Sequence, residues 1–265
     1  MAMLGFVGTG RLGMPMAARL ASAGHIVRCW DLERNQELPA NLMFMSSARE
    51  AADWTDAVML CLPSAEAVQD VMFGPTGLGA ATSPPKFVID HSTIHPIVTV
   101  EIANRSKNGF GSSWIDAPVS GGPSAAVRAG LTIWLGGDRA EVETVLPWLN
   151  AYAGRVTYMG PQGFGQVGKS CNQLIVTATI AALSDMFGYG QACGIAPTAL
   201  LNSLQGASAD CPVLRAFGAL LATNAFPAAS KRNMLKDVSI IEDLAKANGI
   251  SLPLASLAHV RLETL

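Results

Sequence analysis

Three glycines in the spacing G-x-G-x-x-G, Gly8, Gly10 and Gly13, stand directly after the apolar run Met3–Val7 and directly before a helical pattern over residues 12–23. No other feature restricts the fold as much, because strand, turn and helix in that order specify a parallel βα unit. Gly8 makes the tight turn, Gly10 lets a ligand approach the backbone, and Gly13 lets the helix pack closely on the strand. The N–H groups of such a turn, at the positive end of a helix dipole, suit a pyrophosphate. Thr9, Arg11 and Leu12 lie within the turn and are predicted, with the glycines, to bind a dinucleotide. A glycine-rich turn without a ligand is the alternative, and the second β-rich run that follows, Ile26–Trp30, weighs against it. That run leads into Asp31, about 20 residues past the motif, where a carboxylate accepts hydrogen bonds from the adenine ribose hydroxyls and repels a 2′-phosphate. NAD is therefore expected over NADP. Arg34 would pair with a 2′-phosphate if Asp31 turned away, or stand as a solvated loop charge.

The same grammar continues through β-rich runs at 57–62, 87–90, 113–115, 131–135 and 155–158, separated by helical patterns. That alternation predicts βαβ units and a mostly parallel sheet. Ser64 before AEAVQDV and Asp138 before RAEVETVLPWL read as helix N-caps, and Pro96 suits a first helical turn. Leu62 with Pro63, and Thr93 with Ser92, fall at strand C-terminal ends, where open α/β sheets bind ligands. After Tyr158 long helical patterns follow one another, which predicts an all-helical second part and a boundary at 160–163. The expected domains are residues 1–161 and 162–265. The first helix of the second part is expected over 166–193, closed by Gly194, with Pro197 opening the next. Beyond Gln173 its circumference is almost wholly apolar or small, so it should be surrounded by protein, which one small helical domain can hardly supply alone.

Composition narrows the partners. Charged residues make up 14% of the chain, against about 25% in an average domain, and the net charge is −2 with no basic run. Nucleic acid is therefore not an expected partner. Five cysteines, widely spaced and without a C-x-x-C pair, favour reduced thiols of a cytoplasmic protein over disulfides or zinc, and Cys171 reads as a small buried thiol. The N-terminus lacks the regions of a secretory signal, and no uncharged apolar run approaches the length that spans a bilayer. His91 and His95 are four apart, but Pro96 makes a shared helix face doubtful, and no metal is expected.

Six motifs in order, GTGRLGMPMAA from Gly8, Cys61-Leu62-Pro63, Ser92-Thr93, DAPVSGG from Asp116, GFGQVGKSCNQ from Gly163, and Lys236-Asp237, resemble those of the β-hydroxyacid dehydrogenases. The resemblance runs from residue 1 to about residue 260. It implies an N-terminal Rossmann-type doubly wound sheet followed by an all-α domain that makes homodimer or homotetramer contacts, with the active site in the cleft between them. It also implies hydride transfer between NAD, or NADP, and a small β-hydroxyacid or semialdehyde of the 3-hydroxyisobutyrate or tartronate semialdehyde type. Two departures stand out. Many relatives place Asn four residues after the motif lysine; here Asn172 is at plus three and Gln173 at plus four, as in tartronate semialdehyde reductases. The chain also stops at Leu265, before the glycine- and Asp-containing tail that usually closes the family.

Hydride transfer at a hydroxyl-bearing carbon needs a group that exchanges the hydroxyl proton. Lys169, after a glycine-rich bend at the start of an apolar helix, is the candidate that the resemblance selects; unaided, it reads as a solvated lysine near a helix start, where the dipole opposes a cation. Asn172 and Gln173 either hydrogen-bond the substrate, orient the lysine or serve as packing contacts, and Gln173 holds the family's functional position. Ser120 with the N–H groups of Gly121 and Gly122 offers a concavity for a substrate carboxylate, while Asp116 and Pro118 are expected to shape that loop. Lys236 and Asp237 read as a solvated pair by themselves; the resemblance puts Lys236 beside the nicotinamide ribose and Asp237 beside the substrate. A non-catalytic dinucleotide-binding module and an imine reductase are the competing readings, the second generally lacking both the lysine and the Ser-Gly-Gly loop.

Overall fold

Four of the five residues of β1 (Met3–Val7) are buried, because parallel neighbours pair both its edges and helices cover both faces of the sheet. Leu4 and Phe6 enter one hydrophobic cluster and Val7 another, the two-residue period of a strand buried between two layers. The computed structural model describes residues 1–33 and 42–265. Within it β1 pairs with β2 (Ile26–Trp30) and, on its other edge, with β4 (Ala57–Leu60). From β2 the sheet extends outward to β3 (Leu42–Phe44), and from β4 to β5 (Phe87–Asp90) and β6 (Ser113–Asp116), all in parallel. Chain order therefore reverses between β1 and β4, and the turn after β1 and the loop after β4 open side by side at that reversal.

Beyond β6 the sheet changes direction. β8 (Leu131–Gly136) runs antiparallel to β6 and to the short β7 (Val119–Ser120), and β9 (Ala153–Gly160) pairs with it in parallel. One face of the sheet is covered by α1 (Gly13–Ser22), α5 (Gly122–Val127) and α6 (Arg139–Leu149), and the other by α2 (Ala48–Ala52), α3 (Ala65–Phe73) and α4 (Pro96–Phe110). The expected start signals operate: Ser64 accepts the N–H of Ala67, Asp138 those of Ala140 and Glu141, and Pro96 opens α4. β3 and β7 lack a readable signal, being three and two residues long.

The helical part comprises α7 (Phe164–Ala192), α8 (Pro197–Leu204), α9 (Pro212–Ala222), α10 (Ala228–Ala247) and α11 (Pro253–Glu263). Ile180, Leu183 and Phe187 of α7 pack with Leu214, Val238 and Leu262 in its core. α7 starts two residues before the expected Gln166, and Gly194 after it has φ +84° as a helix-closing glycine requires. Two compact units, Met1–Lys169 and Ser170–Leu265, divide within this helix. In the single chain α7 is not surrounded by protein, Ile175 being 65% and Tyr189 74% exposed, in line with the expectation that one small helical domain can hardly cover it. Cys171 lies on the exposed side as well, not in the interior as its small size suggested. Among the described residues no helix is long and apolar enough to cross a membrane.

Candidate active site

The turn between β1 and α1 is held from behind. The N–H of Gly8 donates to the Trp30 carbonyl at 2.9 Å, and a Cβ on Gly8 would collide with the Cys61 carbonyl. A Cβ on Gly13 would strike the Gly8 carbonyl and come within 2.9 Å of Phe6, so this glycine is what lets α1 lie against β1. Gly10 differs, since a Cβ there would meet nothing within 4 Å. No side chain caps the start of α1. A cavity of about 830 Å³ opens on the turn, lined by Gly8, Thr9, Gly10 and Arg11, by Asp31, and by Leu62 and Pro63 across from them. The Asp31 carboxylate is oriented by the Thr9 hydroxyl at 3.5 Å and the Glu33 N–H at 3.4 Å. Leu32, Ala67 and Val71 also line the cavity; Ala67 and Val71, one turn apart on the Ser64-capped helix, are the signal that could have identified this wall. Leu12, Gly13 and Thr93 do not line it, and Lys236 belongs to the other compact unit. Arg34 lies outside the described residues. Open backbone donors, an acidic group at the end of β2 and apolar walls together suit a dinucleotide.

Cys61 also lines this cavity. Part of the residue faces the opening, yet burial, reinforced by the Asp90 and Asp31 carboxylates, pushes its thiol up to about 12.

A buried polar network ties the strand ends to α7. Ser92 Oγ accepts the Leu62 N–H at 3.0 Å, and the Ser92 N–H donates to Asp90 Oδ1 at 2.9 Å. Gln166, in the first turn of α7, donates through Nε2 to the Ser92 carbonyl at 2.8 Å and accepts the Ile94 N–H at 3.3 Å. Asp116, at the end of β6, accepts the N–H groups of Gly163 at 2.8 Å and Gln166 at 3.0 Å. Burial pushes its carboxyl up, and these hydrogen bonds oppose the shift. Asp116 thus shapes the loop rather than facing a ligand. His91 donates through Nδ1 to the Ala117 carbonyl at 2.7 Å, which leaves Nε2 to accept the Tyr152 hydroxyl at 2.9 Å. Burial pushes this imidazole down to about 4, against the Ala117 hydrogen bond, so it is neutral at pH 7.

Lys169 is only 7% exposed, and its ammonium donates to the Val119 carbonyl at 2.9 Å. Folding therefore places the lysine against the residue before Ser120. Gly121 and Gly122 follow with φ +124° and +68°, values open to glycine, and a Cβ on Gly122 would meet nothing within 4 Å. Half-buried Ser120 and these two peptide groups thus directly follow the residue that the amine holds.

In the helical unit, Gln173 Nε2 donates to Asp237 Oδ2 at 2.6 Å, and Asn172 Nδ2 donates to Gln173 Oε1 at 3.0 Å. Lys236 lies 3.4 Å from Asp237 Oδ1. Read alone, Lys236 and Asp237 looked like a solvated pair, but Asp237 is only 7% exposed because it faces Gln173 of α7 and not water. Gln166 is the residue that sequence reasoning overlooked, as its partners lie 72 and 74 residues away. Among the described residues no group of three or more His, Cys, Asp or Glu side chains comes together as a metal site.

Two family models match the chain. One describes the NAD binding domain of 6-phosphogluconate dehydrogenase and covers residues 3–160; the other describes the NAD-binding part of NADP-dependent 3-hydroxyisobutyrate dehydrogenase and covers residues 163–265. The 2-hydroxy-3-oxopropionate reductase of Escherichia coli (strain K12) is 32% identical over 253 residues, 94% of this chain and 86% of that protein. A probable 3-hydroxyisobutyrate dehydrogenase of Mycobacterium bovis is 32% identical over 269 residues, 97% of this chain and 90% of the relative. A solved structure of Mycobacterium tuberculosis 3-hydroxyisobutyrate dehydrogenase with L-serine has a TM-score of 0.81 at 28% identity and covers 100% of this chain and 93% of that one.

Proposed function

The chain belongs to the β-hydroxyacid dehydrogenase family, and from that premise we propose that it interconverts a small β-hydroxyacid and its semialdehyde, with Lys169 exchanging the hydroxyl proton. It is an NAD(P)-dependent oxidoreductase acting on a hydroxyl group. The observation that carries the finer reading is the Lys169 ammonium held at 2.9 Å from the Val119 carbonyl, beside Ser120, Gly121 and Gly122. An amine beside a hydroxyl and two glycine peptide groups suits a substrate that carries an acid and a hydroxyl on neighbouring carbons. Bound NAD(P) supplies the hydride acceptor for oxidation and the hydride donor for reduction. In oxidation the neutral amine of Lys169 takes the hydroxyl proton as the carbon becomes a carbonyl; in reduction the ammonium returns it. Ser120 and the N–H groups of Gly121 and Gly122 hold the carboxylate. Asp237 fixes the Gln173 amide, which together with Asn172 orients the third substituent, and the Lys-x-x-Asn-Gln spacing supports a tartronate semialdehyde or 3-hydroxyisobutyrate type of substrate.

In this reading residues 1–161 hold the cofactor, and residues 162–265 bind substrate and assemble the protein as a homodimer or homotetramer. The cofactor residues are Gly8, Thr9, Gly10, Arg11, Leu12, Gly13, Asp31, Leu62, Pro63, Thr93 and Lys236. Asp31 supports a preference for NAD. The uncovered Ile175 and Tyr189 of α7 support self-association. The test is a panel of 3-hydroxyisobutyrate, glycerate, 4-hydroxybutyrate, serine and threonine, each with NAD and with NADP, followed by formation of the reduced cofactor. Turnover of a β-hydroxyacid, faster with NAD, is expected. Failure on every acid, or reduction of a cyclic imine instead, overturns the substrate reading, and equal or better use of NADP overturns the role of Asp31.

A further inference from the structure

We propose that Gln166 is a positioning residue that sets the spacing between Thr93 and Lys169, and so aligns the cofactor end of the site with its proton-exchanging end. The inference rests on the reading in which Thr93 meets the cofactor and Lys169 exchanges the proton. Gln166 is 1% exposed, and both ends of its amide are engaged. The carbonyl it donates to, at 2.8 Å, belongs to the peptide group on one side of Thr93. The N–H it accepts from, at 3.3 Å, belongs to the peptide group on the other. One side chain thus grips both peptide groups that flank Thr93, as a paired strand would. Its own N–H is held by Asp116 Oδ2 at 3.0 Å, so the gripping residue is itself fixed. Lys169 follows three residues later on the same helix, with its Nζ against Val119. The hold extends further, because Ser92 Oγ accepts the N–H of Leu62, a wall of the dinucleotide cavity.

A buried leucine or methionine would fill this volume without the need to satisfy two polar ends. What the amide adds is direction: both hydrogen bonds constrain where Thr93 stands relative to the first turn of α7. Hydride and proton transfer depend steeply on such spacing, and a misplacement of about 1 Å from a change away from the chemistry can cost about 10²-fold.

The test compares Gln166→Met, which keeps the length and removes both hydrogen bonds, with Gln166→Glu, which can donate to the Ser92 carbonyl only while protonated. Six quantities are read in the full-length protein: kcat, KM, the isotope effect with substrate deuterated at the hydroxyl-bearing carbon, NADH affinity by fluorescence, the melting temperature, and hydrogen exchange of the Ile94 amide. Gln166→Met should bind NADH as the native protein does, melt at a lower temperature because the Ile94 N–H and the Ser92 carbonyl lose their partner, exchange the Ile94 amide faster, and lose about 10²-fold in kcat with a larger isotope effect and little change in KM. Divided by the native turnover at each pH, which itself falls on acidification as Lys169 is protonated, the turnover of Gln166→Glu should recover on acidification and be lost as the new carboxyl ionises. Native kcat in Gln166→Met overturns the proposal. Equal losses of NADH affinity and melting temperature, with an unchanged isotope effect, overturn it too, since they describe packing alone. If Gln166→Met does not fold, the pH profile of Gln166→Glu decides, a constant ratio of its turnover to the native turnover across pH being the overturning result. If the native protein oxidises no hydroxyacid, the proposed function fails separately, and Ile94 exchange still tests the grip on Thr93: unchanged exchange in Gln166→Met removes it.

Discussion

Both α1 and α7 begin after a glycine-rich bend, and both present N–H groups at the positive end of a helix dipole. At α1 no side chain caps the start, Gly10 faces open space, and a cavity of about 830 Å³ opens in front of it. At α7 the chain supplies its own acceptor, as the Asp116 side chain accepts the N–H groups of Gly163 and Gln166. One helix start is left for a ligand's phosphates, and the other is closed by the fold. Closure also removes an objection to Lys169. A cation in the second turn of a helix is opposed by the dipole, and a carboxyl group across the first turn offsets that opposition.

The comparison is sharpened most by Lys169→Ala, which changes the closed end and leaves the open one alone. NAD affinity should stay near native, while the hydride step slows by roughly 10²–10⁴-fold in a single-turnover measurement. Lys169→Arg should not restore it, because a guanidinium stays protonated. Retention of most of the native turnover by Lys169→Ala would break the assignment.

Asp116→Ala and Gly10→Ala test the contrast directly. The first leaves two interior N–H groups unpaired, at about 1–3 kcal/mol each, and should lower the melting temperature without a matching loss of NADH affinity. Gly10→Ala, where a Cβ has room, should melt like the native protein and bind NADH more weakly, since a methyl group then stands where a pyrophosphate would approach. The comparison collapses if each variant shows the other's phenotype.

His91 makes the closed end sensitive to acid. Its folded pKa of about 4 is below the usual 6.5, so the unfolded chain binds the extra proton first and stability is lost as pH falls between those values. The loss amounts to about 3 kcal/mol once both values are passed. Urea titrations at pH 7 and pH 4 should show it in the native protein, and His91→Gln should lack this part of the slope; identical slopes would remove His91 as the cause.

Ser120→Ala is the mildest change, deleting one hydroxyl from the carboxylate loop while the Gly121 and Gly122 N–H groups remain. KM for the acid should rise by the equivalent of about 1.5–3 kcal/mol, with kcat little altered. An unchanged KM would take Ser120 out of the site.

What could be read from sequence was local. The turn from Gly8 to Gly13, the caps at Ser64 and Asp138, Pro96 and the closing Gly194 each act within a few residues of themselves, so their chemistry is visible in a short window. The links that assemble the closed end are not: Gln166 reaches Ser92 across 74 residues, and Lys169 reaches Val119 across 50. The exposure of Cys171 and the burial of Asp237 were misread for the same reason, since which side of a helix meets protein depends on distant segments. β3, only Leu42–Phe44, is too short to show a period.

The Cys61 thiol, pushed up to about 12, makes the dinucleotide cavity chemically quiet. At neutral pH only about one Cys61 in 10⁵ is ionised, and the thiolate is the form that attacks electrophiles. A maleimide should label exposed Cys171 and Cys193 well before it reaches Cys61. Burial first, and the Asp90 and Asp31 carboxylates after it, thereby keep a sulfur in the wall of the pocket from acting as a nucleophile.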